Sequence, residues 1–180
     1  MSTDDPTRRA TRASLRQDST LEQLPVRIGE IRVASGSSLL FTLGLGSCVA
    51  VVLDDAAACI GGLAHPMLPE PSNGHPAGPP GRYVNRAVPD LIAAMLAAGA
   101  VHERLRARLV GGASMFRDML EGDGLRLGRR NVEAAREALA RAGIAVAAEA
   151  VFGTHGRSVF LRTSSGELLV TSVNQPDVIL

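Results

Sequence analysis

The sequence predicts an α+β fold: mixed, mostly antiparallel β-sheet layers flanked by two principal helices in a single domain. Three observations carry this. Strand-like segments cluster at both ends of the chain with helical periodicity between them, so the order is not the strict alternation of a parallel α/β sheet. Two segments repeat apolar residues at helical spacing and are closed by glycine. The 180 residues, 46% of them hydrophobic, suffice for one substantial core and do not require a second.

Residues 1–21 are polar, rich in Thr, Ser, Arg and Asp, with no strand or helix period, and are expected to form a disordered extension to a domain spanning 22–180. Residues 25–34 and 38–43 alternate apolar and polar side chains around Ser35-Gly36-Ser37, the pattern of two short strands. Residues 49–53 and 60–64 are continuous apolar runs, which reads as two buried neighbouring strands joined by a turn at Asp54-Asp55. Residues 66–82 hold six prolines and three glycines, and are either a functional loop or an irregular surface excursion. Val88, Leu91, Ile92, Met95 and Leu96 define a helix over 84–98, with Gly99 at the position of a C-cap glycine. A strand over 106–110 enters Gly111-Gly112. A second helix over 131–142 stops at Gly143, and residues 144–151 return to strand. Residues 158–163 and 167–172 form a hairpin across Ser164-Ser165-Gly166.

Composition removes several classes of function. Nineteen basic residues face eighteen acidic ones, so no global field draws the chain to nucleic acid or anionic lipid. With no Trp, one Tyr and four Phe there is no set of stacking platforms for single-stranded nucleic acid and no aromatic membrane belt. No apolar run has the length of a spanning helix and the N-terminus lacks a secretory apolar stretch, so a cytoplasmic protein without membrane insertion is expected. Two cysteines in a reducing compartment read as free thiols.

Chemistry concentrates around Cys48. It follows the glycine-rich turn of Phe41-Thr42-Leu43-Gly44-Leu45-Gly46-Ser47 and opens an apolar strand, where backbone amides of Gly46 and Ser47 can be free to form an oxyanion hole. A thiol attacking a carbonyl carbon needs a base, and an imidazole is its usual partner. Cys48 opens one expected strand and His65 closes the next, so an antiparallel pairing returns both to one end of the sheet. The competing reading is that Cys48 is a buried packing residue and His65 a satisfied core histidine. Cys59, after three alanines, reads as a small apolar filler, and His102 and His155 as exposed loop histidines. Cys48, Cys59, His65 and His75 lack the paired short spacing of a zinc site, and the glycine pairs lack the Lys and helix of a phosphate loop. No metal and no cofactor are expected.

The segment TLGLGSCVAV from Thr42, followed by GGLAHPMLP from Gly61, resembles the chemoreceptor glutamine deamidases, the CheD family. Tyr83-Val84-Asn85, Gly111-Gly112-Ala113-Ser114-Met115-Phe116 and Leu127-Gly128-Arg129-Arg130-Asn131-Val132 fall in the same order as in that family, and the resemblance spans about Val26 to Val170. It implies a Cys-His-Thr arrangement on Cys48, His65 and Thr42, with Thr42 orienting the imidazole. It also implies conversion of receptor glutamines to glutamates, with methyl-accepting chemoreceptor cytoplasmic helices as substrates and a CheC-type phosphatase as a further partner. The stretch from Ala150 to Arg157 departs from the family pattern of an Asp followed by a Gly-Gly pair. Two other readings stand beside the deamidase: a module that docks on and stimulates the phosphatase without using Cys48, and a cysteine hydrolase acting on another amide.

Overall fold

The computed structural model describes residues 20–71, 78–114 and 123–180. Its elements in order are β1 (Glu22–Pro25), β2 (Ile31–Ser35), β3 (Ser38–Leu45), β4 (Val49–Asp55), β5 (Ile60–Ala64), helix α1 (Val84–Ala97), β6 (Arg106–Gly111), helix α2 (Asp123–Arg141), β7 (Val146–Val151), β8 (Arg157–Arg162), β9 (Leu168–Ser172) and β10 (Gln175–Ile179). The strands form two five-stranded sheets, ordered β1-β3-β8-β9-β10 and β2-β5-β4-β6-β7. Among the described strands, only the β1–β3 and β6–β7 pairings are parallel. This is the α+β architecture expected from the sequence.

Side-chain alternation on β4 shows how the layers stack. Val49, Val51 and Leu53 point to one face, where Val88, Leu91 and Met95 of α1 and Val132, Ala135 and Leu139 of α2 complete a core. Ala50 and Val52 point to the other, against Leu40 and Leu45 of β3, Val159 and Leu161 of β8, and Leu168 and Val170 of β9. Both faces are covered, so the run is apolar throughout rather than alternating. Close approach on β5 depends on two small residues: a Cβ on Gly61 would lie 2.8 Å from Leu161 Cδ2, and one on Gly62 2.7 Å from Leu91 Cδ1.

Several expectations need correction. The alternation over 25–34 belongs to two strands, because Val26 breaks away after its amide bonds Phe41 O, and β1 and β2 enter different sheets. Ser35-Gly36-Ser37 therefore carries the chain from one sheet to the other. Helix α2 begins at Asp123, ahead of the expected start at Asn131, and β10 was not anticipated. Asp54 and Asp55 are not a turn. They end β4 with no exposure, and the reversal is made by the 3-10 turn Ala56–Ala58. Cys59 closes that turn in the left-handed region (φ 53°), half-buried and outside all three apolar clusters, with its thiol 3.5 Å from Ser164 O. His155 is exposed as expected, whereas His102 is half-buried in a 3-10 turn. The extension over residues 1–19, the middle of the proline-rich loop with His75, and Met115-Phe116 lie outside the described residues.

The buried acids are tolerable because arginines from the neighbouring strand and loop reach them. Arg108, 4% exposed, donates to Asp54 Oδ1 at 2.6 Å and to the carbonyls of Gly166 and Leu180 at 2.7 and 2.8 Å. Arg106 takes Asp54 Oδ2 at 2.7 Å. Arg104 forks onto Asp55 and, with the Val101 and Ala58 amides, holds its carboxyl down to about 2. Removing one member of a buried pair strands the other charge. Asp54→Ala should therefore lower unfolding free energy by about 3–5 kcal/mol in urea titration, whereas a surface exchange such as Glu22→Ala should stay within about 0.5 kcal/mol.

Candidate functional site

Thr42 and His65 meet in the layer between the two sheets, and Cys48 packs against the apolar cluster of the same layer. Thr42 shares the inward face of β3 with Leu40, and His65 continues the inward face of β5 set by Leu63. Cys48, one residue before β4, packs against the same inter-sheet cluster. The antiparallel register pairs Val51 with Ala64, and Val49 N donates to Pro66 O at 3.3 Å, so the entrance of β4 and the exit of β5 lie at the same end of the sheet. This is the juxtaposition expected from the two apolar runs.

His65 is 1% exposed and Thr42 2%. Thr42 Oγ1 lies 2.7 Å from His65 Nδ1, a hydrogen bond that bridges one sheet to the other. The backbone of His65 is clamped as well: its amide donates to Glu30 O at 3.1 Å and its carbonyl accepts from Gly29 N at 2.8 Å. His65 Nε2 is buried with no hydrogen-bond partner, so the bond to Cys48 is not formed in this resting arrangement. Catalytic hydrogen bonds are often long before substrate arrives. Burial pushes the imidazole down to about 4, outweighing the opposing pull of the Val26 backbone, so His65 is neutral at physiological pH. Burial also pushes the Cys48 thiol up, opposed by its own backbone amide. Thiol and imidazole therefore rest uncharged, unlike a preformed thiolate–imidazolium pair.

The turn ahead of Cys48 is fixed by its carbonyls. Gly46 O accepts from Ala113 N at 2.8 Å, Cys48 O from Gly112 N at 2.7 Å, and Ser47 O from Asn131 Nδ2 at 2.8 Å. Among the described residues the amides of Gly46 and Ser47 donate to no backbone acceptor, while the Cys48 amide faces its own sulfur. Gly111, at φ 119°, is obligatory here, since a Cβ would overlap the Cys48 carbonyl oxygen. The Ala150–Arg157 stretch buttresses this support: Phe152 N donates to Gly111 O, Ser114 N to Gly153 O, and Arg157 Nη1 to Phe152 O. Phe152 sits in the left-handed region (φ 65°) with the guanidinium of Arg136 5.5 Å from its ring centroid. A cleft of about 410 Å³, lined by Pro25, Val26, Ile28, Phe41, Thr42 and Leu43 among others, reaches His65, and Cys48 does not line it.

Asn131 was not singled out from the sequence as a site residue. The signal was available: it is a polar, poor helix former on the buried stripe that continues through Val132, Ala135 and Leu139, where an apolar residue is expected.

A family model described as CheD chemotactic sensory transduction matches residues 67–172. The chain belongs to the CheD family. A Thermotoga maritima relative named "Chemoreceptor glutamine deamidase CheD" is 43% identical over 148 residues, covering 82% of this chain and 90% of the relative. Relatives named "Probable chemoreceptor glutamine deamidase CheD" from Pyrococcus horikoshii and "Probable chemoreceptor glutamine deamidase CheD 2" from Geobacter metallireducens are 36% and 42% identical. They cover 88% and 85% of this chain, and 98% and 95% of their own lengths. A solved Neisseria meningitidis structure covers 81% of this chain and 68% of its own at 14% identity and TM-score 0.47, too distant a likeness to inform the site. The CheD model match begins at Met67, past Thr42, Cys48 and His65. No described helix is long and apolar enough to cross a membrane.

The depressed value of His65 fixes a sign for stability. Its folded value of about 4 lies below the ordinary 6.5, so the fold favours neutral imidazole. The contribution is complete above pH 6.5 and is lost as pH falls toward 4, because the unfolded chain takes up the proton first. The stability of wild type relative to His65→Gln, from urea titrations, should fall by up to about 3 kcal/mol across that window and stay flat at higher pH.

Proposed function

We propose that this chain is a cysteine-dependent protein-glutamine deamidase acting on the cytoplasmic helices of chemoreceptors. The observation that carries the proposal is the buried Thr42–His65 hydrogen bond, which leaves the opposite ring nitrogen unpartnered in the layer occupied by Cys48. The names of the relatives supply the substrate.

In the assignment that gives this geometry a chemical role, Nδ1–H donates to Thr42 Oγ1 and Nε2 is the base. Nε2 accepts the Cys48 proton as sulfur attacks the side-chain carbonyl carbon of a glutamine, forming the C–S bond and a tetrahedral oxyanion. The unengaged amides of Gly46 and Ser47 face that charge; losing one such donor typically costs about 3–4 kcal/mol. The imidazolium then gives its proton to the departing nitrogen, the C–N bond breaks, and ammonia leaves a thioester. Water, deprotonated by Nε2, attacks the thioester, and the thiolate leaves and recovers the proton. The sum is glutamine plus water giving glutamate plus ammonia, with no cofactor consumed.

Neutral resting partners suit this reaction. Thiolate forms only as the carbonyl carbon arrives, so the proton taken from sulfur is already in place for a leaving group too basic to depart alone. Thr42 keeps the ring from turning and holds the proton on Nδ1, the part a carboxylate or amide plays in other triads.

Intact-peptide mass spectrometry of a chemoreceptor cytoplasmic fragment tests the proposal. Wild type should add about one mass unit at defined glutamines, and Cys48→Ala should add none. His65→Ala should lower kcat by roughly 10²- to 10⁴-fold, and Thr42→Val by roughly tenfold or more with little change in KM. Undiminished deamidation by Cys48→Ala would remove the thiol from the mechanism. No mass change with wild type would favour a role confined to binding.

A further inference from the structure

We infer that Asn131 of α2 is a positioning residue that sets the separation of Cys48 and His65; this rests on the deamidase reading above. Its side chain is fully buried, and Nδ2 donates to two carbonyls at once, Ser47 O at 2.8 Å and Met67 O at 3.0 Å. Ser47 immediately precedes Cys48, and Met67 follows His65 by two residues. One amide from a helix thus staples the thiol-bearing turn to the segment that leaves the imidazole.

The sequence shows why a staple is needed at this point. The β4–β5 ladder is regular from Asp55–Ile60 to Val51–Ala64, and its continuation brings Val49 opposite Pro66. Pro66 has no N–H, so of the two bonds such a pair exchanges only Val49 N to Pro66 O is made, and it is long at 3.3 Å. His65, one residue inside that pair, stands where the antiparallel alternation directs its amide and carbonyl to the β2 side, onto Glu30 O and Gly29 N, so it adds no backbone bond to β4. The two strand ends bearing Cys48 and His65 are therefore poorly joined by backbone, and Asn131 supplies the missing connection.

The orientation of the amide is determined by its acceptors. Turned over, Oδ1 would face two carbonyl oxygens. As it stands, Oδ1 is buried with no partner, so the side chain holds this pose for its donors alone. Helix α2 also comes close to the segment that supports the Cys48 turn: a Cβ on Gly128 would lie 2.6 Å from Gly112 O, and Gly112 N donates to Cys48 O. Helix α2 therefore approaches closely enough for the short Asn side chain to reach, and an Asp there would set a carboxylate against two carbonyls.

The test uses the full chain in a Cys59→Ser background, so that Cys48 is the sole thiol. Wild type, Asn131→Ala, Asn131→Asp and His65→Ala are compared for deamidation kinetics and for the pH profile of Cys48 alkylation by iodoacetamide, with folding checked by far-UV circular dichroism and each assay run well below the variant's Tm. Both Asn131 variants should lose roughly tenfold to a hundredfold in kcat with KM nearly unchanged, as expected for a small misplacement of reacting groups. Their alkylation profiles should move onto that of His65→Ala, a change that mere destabilisation does not produce. If Asn131→Asp does not fold, Asn131→Ala, which lacks the repulsive carboxylate, carries the comparison. Wild-type kcat in folded Asn131→Ala, or a lost kcat with an unchanged alkylation profile, overturns the inference. Identical profiles for wild type and His65→Ala would instead overturn the Cys48–His65 pairing on which it rests.

Discussion

The fold is organised by burying β4 on both faces, and almost everything distinctive about the molecule follows from that. A strand covered by helices on one side and by a second sheet on the other has no solvent edge along its length, so its polar residues survive only at its ends. At the exit, Asp54 and Asp55 are neutralised by arginines delivered from β6 and the loop before it. At the entrance the chain leaves the ladder at Cys48, and there backbone amides, a thiol and an imidazole gather without being consumed by secondary structure. The same burial explains the glycines of β5. Leu161 from the opposing sheet and Leu91 from α1 press on adjacent residues, and both positions have to yield their Cβ.

The Thr42–His65 bond is the polar counterpart of this packing. An imidazole drawn into an apolar layer is held neutral, and a neutral ring has one nitrogen that donates and one that accepts. The hydroxyl from the opposing sheet engages one of them, so the position of the other depends on how the sheets sit on each other rather than on either sheet alone. Two layers packed face to face are stiff, and a stiff frame suits the proposed role of His65 as base toward Cys48, which comes from a third segment. The lowered value of the imidazole and the raised value of the thiol share one cause, burial, and together they keep the pair uncharged until something enters the layer.

Much of this was legible in the sequence, and the failures have physical causes. Apolar runs, helical spacing and turn glycines located most strands and both helices. The antiparallel return of the two runs is enough to place Cys48 and His65 at one end of the sheet. Thr42 came instead from resemblance to CheD, because nothing in the spacing of a strand threonine says which side chain of another sheet it will meet. Asp54-Asp55 were misread since adjacent acids are ordinarily solvated. The arginines that bury them lie about fifty residues on, and pairwise compensation leaves no local trace. β10 escaped because Gln175, Pro176 and Asp177 break the alternation that marks a strand, which an edge position tolerates.

Asn131 shows what kind of information a one-dimensional reading loses. Its neighbours on α2 say only that a buried face contains one polar residue. Its meaning appears when the ladder is followed to the point where Pro66 cannot donate, because the defect and its repair lie on different elements 65 positions apart in the chain. Proline at that point has a use of its own. It ends the pairing, frees the segment after His65 to turn aside, and, in the proposed role of Asn131, lets a side chain instead of a rigid backbone ladder govern the approach of Cys48 and His65. A ladder bond would fix that distance at the spacing of ordinary strands, whereas a helix-borne amide can hold it at another.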